Sequence, residues 1–349
     1  MDPWQKQLMD GVVDCSRIAE RFGLDVRELQ LIADRYPLRL TQHLCELIEH
    51  RDDPIGRQFL PNLAELRDDP DTMIDPLAEA DHSPVPGVVH RHPDRALLLV
   101  NGSCPAYCRF CFRKGRVGTG DLKTSFSELE QACDYFAGCR ELQEVILTGG
   151  EPLLLTDLLL ENLLARLRRI DHVGLLRIHT RMPVMLPDRM TDHLVELLRR
   201  VQPLYLVIHV NHPRELAPQM LEGCRRLAES GVPLASQTVL LKGVNDDVAT
   251  LENLFRSLLR NRIRPYYLHQ ADLARGAGHF RTPLAVGQRL LGELQGRLPG
   301  LALPQLVVDL PGGKGKVPAH TVSPGRSASG RVRFVAPDGC PVDYPDLAT

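Results

Sequence analysis

"NGSCPAYCRFCFRKGR", residues 101–116, decides the fold, because it places a C-x3-C-x2-C pattern directly behind a short apolar run. That run, "ALLLVN" (96–101), is the first of a series of predicted strands. In a parallel sheet the loop after a strand lies at the carboxyl edge, where the active sites of such folds are built. Cys104, Cys108 and Cys111 are close enough in sequence to bind one metal centre.

Apolar runs and amphipathic stretches alternate over the central part of the chain. The apolar runs are 96–101, 144–149, 175–180, 204–210, 234–241 and 264–270, and the amphipathic stretches are 126–137, 157–170, 188–201, 214–230, 247–261 and 283–298. Each run is near-continuous in apolar content, which is typical of strands buried on both faces. Six β-α units predict a parallel sheet. They are too few for a closed eight-unit barrel. We therefore predict an α/β fold, an open partial (β/α)6 barrel.

Two flanking regions differ from this pattern. Residues 1–88 have helical spacing and then a Pro- and Asp-rich segment, which predicts an N-terminal helical region. Residues 89–299 contain the predicted barrel. Residues 300–349 are rich in Gly and Pro with two short strand patterns, and we expect a C-terminal segment that closes over the barrel mouth.

Composition excludes several classes of protein. The 349 residues include 42 basic and 44 acidic ones, so the net charge of -2 gives no reason to expect nucleic-acid or anionic-membrane binding. The N-terminus lacks the pattern of a signal peptide. No apolar run reaches the roughly 18 residues of a membrane span. Nine scattered cysteines favour reduced thiols over a disulfide framework. We expect a cytoplasmic protein.

The cysteine triplet supplies soft ligands that suit zinc or an iron–sulfur cluster. A structural zinc site normally has a fourth Cys or His nearby. Cys133 and Cys139, the next cysteines, fall in or beside a predicted helix and outside the pattern. The residues alone therefore favour a cluster over zinc. Three ligands on a four-iron cluster leave one iron open for another molecule.

With Phe110 before its last cysteine, the pattern resembles that of the radical S-adenosylmethionine enzymes. The resemblance implies a [4Fe-4S] cluster on Cys104, Cys108 and Cys111, with S-adenosylmethionine on the open iron. It also implies an electron donor such as flavodoxin or ferredoxin. The product of electron transfer in that family is a 5′-deoxyadenosyl radical.

"LTGGEP" (147–152) ends the second predicted strand and is similar to the glycine-rich motif of the same family. Glycines allow a ligand to approach the backbone closely. The resemblance implies that Gly149, Gly150 and Glu151 bind S-adenosylmethionine, with Glu151 accepting from its amino group.

A second cofactor is implied near the C-terminus. "DLPGGKGKVP" (309–318) is similar to the loop of the lysine 2,3-aminomutases that attaches pyridoxal 5'-phosphate, which places the cofactor on Lys316 rather than on Lys314. "SPVPGVVHRHPDRALLLVNGSC" (83–104) resembles the same enzymes, and there Arg91 and Arg95 match arginines that bind the cofactor phosphate. Taken alone, the two arginines predict a solvated turn. Gln237 matches a further cofactor contact.

The resemblance also implies the substrate. Arg113 matches the arginine that binds the substrate α-carboxylate, whereas Arg116 has no such match. Asp272, in "HQADLARGAGHFRTP" (269–283), and Asp309 match a pair of aspartates that bind the distal ammonium of lysine. The implied reaction is migration of the amino group of L-lysine from C2 to C3, giving β-lysine.

These features predict an isomerase of the intramolecular aminotransferase type, a lysine 2,3-aminomutase. The chain also resembles the short aminomutases that serve β-lysylation of elongation factor P. Two alternatives stay open: a 2,3-aminomutase for arginine or glutamate, and a non-catalytic module that binds a metal cluster. The expected partners are a small amino acid and an electron donor, with no nucleic acid and no membrane. The resemblance leaves a homo-oligomer open.

Overall fold

The fold is given by a computed structural model that describes residues 2–11, 13–67, 69–122, 124–319, 325–327 and 330–347. Strands β1 to β9 of this part form one sheet in chain order. Their bounds are Val88–His92, Arg95–Asn101, Glu144–Gly149, Leu175–Thr180, Leu204–His209, Leu234–Leu240, Ile263–Gln270, Gln305–Asp309 and Lys316–Pro318. A separate small sheet contains β10 to β12, at Gly325–Arg326, Val332–Val335 and Pro341–Tyr344.

Helices precede the sheet and connect its strands. Helices α1 to α5 are Pro3–Met9, Cys15–Phe22, Val26–Ala33, Gln42–Leu47 and Pro54–Phe59. Helices α6 to α12 are Phe126–Gly138, Asp157–Arg168, Met182–Met185, Asp192–Arg200, Pro218–Glu229, Val248–Arg260 and Leu284–Gln295. The α/β alternation predicted from the sequence is confirmed. Several helix starts follow from capping residues, since Ser125, Thr156 and Asp247 each accept a hydrogen bond from a backbone N–H in the first turn.

The sheet extends beyond the six predicted strands at both edges. Neighbours from β2 to β8 are parallel, whereas β1 and β9 pair antiparallel with the strands beside them. Strand β8 lies parallel to β7, with Tyr267 opposite Gln305. The first part of segment 300–349 is thus continuous with the barrel sheet and does not form a separate cover. Its return strand β9 brings Lys316 opposite Asp309.

The strands differ from the expected near-continuous burial. Strand β3 is buried at every position, but β4 and β6 alternate between fully buried and half-buried residues. The fully buried set, including Leu176 and Ile178, belongs to the main core with residues of the surrounding helices. Successive side chains of a strand point to opposite faces. The half-buried set, which includes His179 and Gln237, therefore faces the interior of the curved sheet.

The N-terminal helices pack against the loop that contains the cysteine triplet. Leu29, Leu40 and Phe59 form a buried apolar cluster that also contains Ala106 of this loop and Met185 after β4. Helices α2 to α5 therefore cover the cysteine loop from one side. Among the described residues, no helix combines the length and apolar character needed to cross a bilayer.

Candidate active site

The three cysteines lie at the carboxyl end of β2. Cys104, Cys108 and Cys111 line a cavity of about 40 Å³ together with Tyr36 and Tyr107. Burial raises the pKa of all three thiols, to about 11 for Cys111. The charge of Cys108 raises the pKa of both other thiols further. Such a site favours thiolates only when a strongly positive centre binds among them.

The donor set fits an iron–sulfur cluster better than a single ion. In the described part of the chain, no group of three or more His, Cys, Asp or Glu side chains is arranged to hold one metal ion. In a four-iron cluster each thiolate binds a different iron, so the sulfurs need not converge on one point. The three-cysteine set is therefore compatible with a cluster.

The glycine-rich turn after β3 packs directly on the cysteine loop. A Cβ at Gly150 would lie 2.3 Å from the Ser103 carbonyl oxygen, and one at Gly149 would lie 2.6 Å from the Asn101 carbonyl oxygen. Gly149 also has a φ of +114°. At these positions the glycines allow the close approach of protein backbone, and their contact with S-adenosylmethionine stays a prediction. They fix the turn beside the cysteines.

Glu151 is held by donors of the protein itself. Its Oε1 accepts from Thr180 Oγ1 at 2.6 Å and from the Leu153 N–H at 3.1 Å, and its Oε2 accepts from the Arg181 N–H at 2.8 Å. Burial raises the pKa of Glu151 to about 7, although these hydrogen bonds oppose the shift. The carboxylate thus joins the ends of β3 and β4 next to the cysteines.

Arg113, two residues after Cys111, is almost fully buried. Its Nε and Nη2 donate to the Glu79 carboxylate, at 2.9 Å and 2.5 Å, and its Nη1 donates to the Gly149 carbonyl at 3.1 Å. Arg116 reaches the same carboxylate, with a Nη1–Oε2 distance of 3.4 Å. One side of the Arg113 guanidinium is therefore fixed by Glu79, which the sequence analysis did not single out.

A second buried acid braces the same loop. Glu65 accepts from Arg109 Nε at 3.0 Å and from Lys114 Nζ at 2.8 Å, and it is fully buried. Lys114 also donates to the Gly276 carbonyl at 2.9 Å. Burial lowers the pKa of Lys114 to about 8, against the raising effect of Glu65. Two of the basic side chains after the cysteines, Arg113 and Lys114, are thus paired with buried carboxylates.

The C-terminal loop separates its two lysines. Lys314 is exposed, whereas Lys316 is half-buried on β9. Lys316 Nζ donates to Asp309 Oδ2 and lies 3.3 Å from His269 Nδ1. His269 Nδ1 is in turn 3.2 Å from Asp309 Oδ2. Of the two lysines, only Lys316 faces the interior of the sheet.

The two predicted substrate aspartates have opposite electrostatic environments. Burial and then the charge of Asp309 raise the pKa of Asp272 to about 7. Burial also acts to raise the pKa of Asp309, but the Lys316 ammonium and His269 outweigh it and hold that pKa below its ordinary value. The charge of Asp309 thus acts on Asp272, and the Lys316 ammonium forms its ion pair with Asp309.

The predicted phosphate residues face the same region from the other sheet edge. Burial lowers the pKa of His92, as do the charges of Arg95 and Arg91, while Asp309 acts in the opposite direction. Arg91 Nε is buried with no hydrogen-bond partner among the described residues. Arg95 pairs with the adjacent Asp94 at 2.9 Å and is partly exposed. A buried, unpartnered guanidinium N–H is a suitable donor for an anionic ligand.

Tyr267 of β7 lies near both Gln237 and Lys316. Gln237 of β6 is opposite Tyr267 in the parallel register. Lys316 Nζ lies 5.3 Å from the centre of the Tyr267 ring, and the charge of Arg95 also reaches this tyrosine. Lys316 thus supplies a primary amine beside an aromatic ring, and Arg91 supplies a guanidinium N–H without a partner among the described residues; these groups suit an aldehyde cofactor with a phosphate group.

Arg181 is the main site residue absent from the sequence analysis. Its Nη1 donates to Cys108 Sγ at 2.9 Å, and its Nη2 donates to Gln58 Oε1 at 2.6 Å and Glu215 Oε2 at 3.0 Å. Its position directly after β4, at the same edge as the cysteines, is the one sequence signal that could have identified it. Glu79, Glu65 and His269 carried no such signal.

Comparison with known proteins finds one family model and several relatives of this chain. The model of the Radical SAM superfamily matches residues 98–255. The chain is 42% identical over 320 residues to an L-lysine 2,3-aminomutase of Clostridium subterminale, covering 90% of this chain and 77% of that protein. It is 36% identical over 325 residues to an L-lysine 2,3-aminomutase of Escherichia coli, covering 91% and 94%. It is also 33% identical over 317 residues to a glutamate 2,3-aminomutase of Clostridioides difficile, covering 89% and 75%.

Proposed function

The chain belongs to the radical SAM L-lysine 2,3-aminomutase family, and from that premise we propose that it converts L-lysine to β-lysine with pyridoxal phosphate bound to Lys316. Family membership makes it an aminomutase that uses a [4Fe-4S] cluster and S-adenosylmethionine. The observation that carries the finer proposal is the contact of Lys316 with Asp309 and His269 on the interior of the sheet.

The cysteines and the turn after β3 would hold the radical-generating groups. Cys104, Cys108 and Cys111 would bind the cluster, and Glu151 would keep the turn at Gly149 and Gly150 against the cysteine loop. When bound, the cluster with S-adenosylmethionine supplies a radical that removes hydrogen, and pyridoxal phosphate supplies the group that carries the migrating nitrogen. An external one-electron donor such as flavodoxin or ferredoxin would reduce the cluster.

The arginines would orient the bound molecules. Arg91, with its free Nε, and Arg95 would bind the cofactor phosphate, and Gln237 would add a polar contact from β6. Glu79 takes the Nε–H and one Nη2–H of Arg113, and Nη1 donates to the Gly149 carbonyl and, at 3.5 Å, to Thr148 Oγ1, so the Nη1 and Nη2 edge keeps its second Nη2–H. That edge would bind the α-carboxylate of the substrate, and a fixed guanidinium restricts which substrate hydrogen faces the radical.

The aspartates favour a cationic side chain over an anionic one. A glutamate substrate would place a third carboxylate beside Asp272 and Asp309, at a cost set by unscreened like charges. A distal ammonium would instead place a cation beside the two carboxylates and would favour the ionised form of Asp272. The two acids therefore support lysine as the substrate and argue against glutamate.

The proposal is tested by product analysis. The protein is reconstituted anaerobically with iron, sulfide and pyridoxal phosphate, and then given S-adenosylmethionine, dithionite and one of L-lysine, L-arginine or L-glutamate. We expect β-lysine by chromatography and mass spectrometry. Activity should be lost in Lys316→Ala and retained in Lys314→Ala, the exposed lysine of the same loop. A β-amino acid from arginine or glutamate but not from lysine would overturn the substrate assignment.

A further inference from the structure

Arg181 connects one cluster ligand to two other parts of the protein. It is almost fully buried, with a side chain that is 4% exposed, and its partner Glu215 is 0% exposed. Its guanidinium lies over the rings of Phe59 and Phe110, at 4.6 Å and 5.1 Å from their centres. These contacts fix the Nη1–H bond to Cys108 Sγ, which is 2.9 Å long.

We propose that Arg181 and Glu215 set the reduction potential of the cluster, with Arg181 raising it and Glu215 lowering it. The reduction potential of an iron–sulfur cluster depends on hydrogen bonds to its sulfurs, on nearby charge and on burial. Arg181 supplies a charge-assisted hydrogen bond to a ligating sulfur, in surroundings where water does not screen it. This role is independent of the amino acid substrate and of pyridoxal phosphate.

The charge of the reduced cluster determines the direction of the shift in potential. One electron from an external reductant changes the [4Fe-4S] core from 2+ to 1+ and increases the negative charge on the cluster and its thiolates. No bond to Arg181 forms or breaks, and its protons remain on the guanidinium. Because the hydrogen bond to Cys108 Sγ stabilises the more negative state more strongly, it makes reduction easier. The Glu215 carboxylate, bound to the same guanidinium, acts in the opposite direction.

Other elements hold the pair in place. Glu215 Oε1 accepts from Gln58 Nε2 at 2.8 Å and from the Asn211 N–H at 3.2 Å, so α5 and the segment after β5 both fix its carboxylate. The backbone N–H of Arg181 bonds to Glu151. A change at Arg181 could therefore disturb the fold as well as the charge, and the experiment must separate the two effects.

The test is an anaerobic redox titration of the reconstituted cluster without pyridoxal phosphate or substrate, followed by electron paramagnetic resonance of the reduced state. Arg181→Gln should shift the midpoint potential to more negative values, and Arg181→Lys should shift it less. Glu215→Gln should shift it to more positive values. Opposite shifts distinguish charge tuning from structural damage, because damage has no reason to reverse sign between the two partners.

A matched control and a second readout keep the proposal falsifiable. Arg189, also fully buried, donates to the Leu153 carbonyl at 2.7 Å and pairs with Asp157, and none of its hydrogen bonds within the described residues goes to a cysteine, so Arg189→Lys should leave the potential unchanged. Resonance Raman bands of the Fe–S(Cys) bonds should shift in Arg181→Gln. If Arg181→Gln or Arg181→Lys binds a full complement of iron and keeps the wild-type potential and Raman bands, the proposal is overturned. Shifts of the same sign in Arg181→Gln and Glu215→Gln would also overturn it.

Discussion

Removal of the Glu65 charge should destabilise the protein strongly. Glu65 is fully buried and accepts from both Arg109 and Lys114, and each of these cations otherwise bonds only to neutral carbonyl groups among the described contacts. Glu65→Gln keeps the shape but leaves two buried cations without a counter-charge. Breaking a buried ion pair in this way costs about 3–5 kcal/mol of the free energy of unfolding. The expected loss is two to four powers of ten in the folding equilibrium, at about 1.4 kcal/mol for each tenfold change.

The assay is urea unfolding followed by circular dichroism, with the metal-free protein under reducing conditions. Glu196→Gln is the control, since Glu196 forms an exposed pair with Arg199 and its loss should leave the free energy of unfolding unchanged. The sign of the pH dependence gives a second check. Lys114 has a lowered pKa of about 8 when folded. Between pH 8 and the ordinary lysine pKa of about 10.4, Lys114 is protonated in the unfolded chain but not in the folded one, so the free energy of unfolding rises with pH.

Without Glu65 the pKa of Lys114 should fall further, because Glu65 raises it in the native protein. The loss in free energy of unfolding caused by Glu65→Gln should therefore be smaller at pH 9 than at pH 7. A deficit below about 1 kcal/mol at pH 7 that does not change with pH would refute the claim that Glu65 balances two buried cations.

Three further predictions concern the site. The pKa of Glu151 is raised to about 7 in the folded protein, so the free energy of unfolding of the native chain should fall as pH rises from 4.5 to 7. Glu151→Gln removes this ionisation, so in urea unfolding its free energy of unfolding should rise relative to that of the native chain by up to about 3 kcal/mol across this pH range. Because the pKa of Asp272 is raised to about 7, KM for lysine should fall as pH rises from 6 to 8, and kinetics of Asp272→Asn should show no such fall. Cofactor absorbance should be lost from Lys316→Ala after borohydride reduction and dialysis but retained in Lys314→Ala; retention in Lys316→Ala would contradict the assignment of the cofactor lysine.

The sequence predicts the barrel well because buried parallel strands and amphipathic helices have strong patterns. It does not predict that β1, β8 and β9 join the sheet. Strand β1, "VVHRH", is short and polar at one end, and β9 has only three residues next to a glycine-rich loop, so neither has a periodicity that distinguishes it from a turn. Their pairing depends on contacts with strands already in place, which local sequence does not record.

Site residues could be predicted from the sequence only where they belong to a short motif. The three cysteines and Lys316 lie in short patterns with fixed spacing, and the structure brings the cysteines to one cavity and Lys316 to the interior. Arg181 is 73 residues from Cys108 in sequence, and its bond to that cysteine follows from strand order in the folded sheet. A lone arginine after a strand has no spacing that predicts such a partner. Long-range pairs of this kind require the structure.

Long-range pairs of the same kind join the N-terminal region to the barrel. Three basic side chains around the cysteine loop, Arg181, Arg109 and Arg113, are buried, and their partners Gln58, Glu65 and Glu79 all precede the barrel. Each uncompensated buried charge costs several kcal/mol. Glu65 and Glu79 are the counter-charges among these partners, whereas Arg181 keeps its ion pair with Glu215 of the barrel. The loss of the two acids alone is comparable to the net stability of a typical domain, about 5–15 kcal/mol. Residues before the predicted boundary at 88 therefore supply buried partners to side chains around the cysteine loop, and the boundary itself stays a prediction.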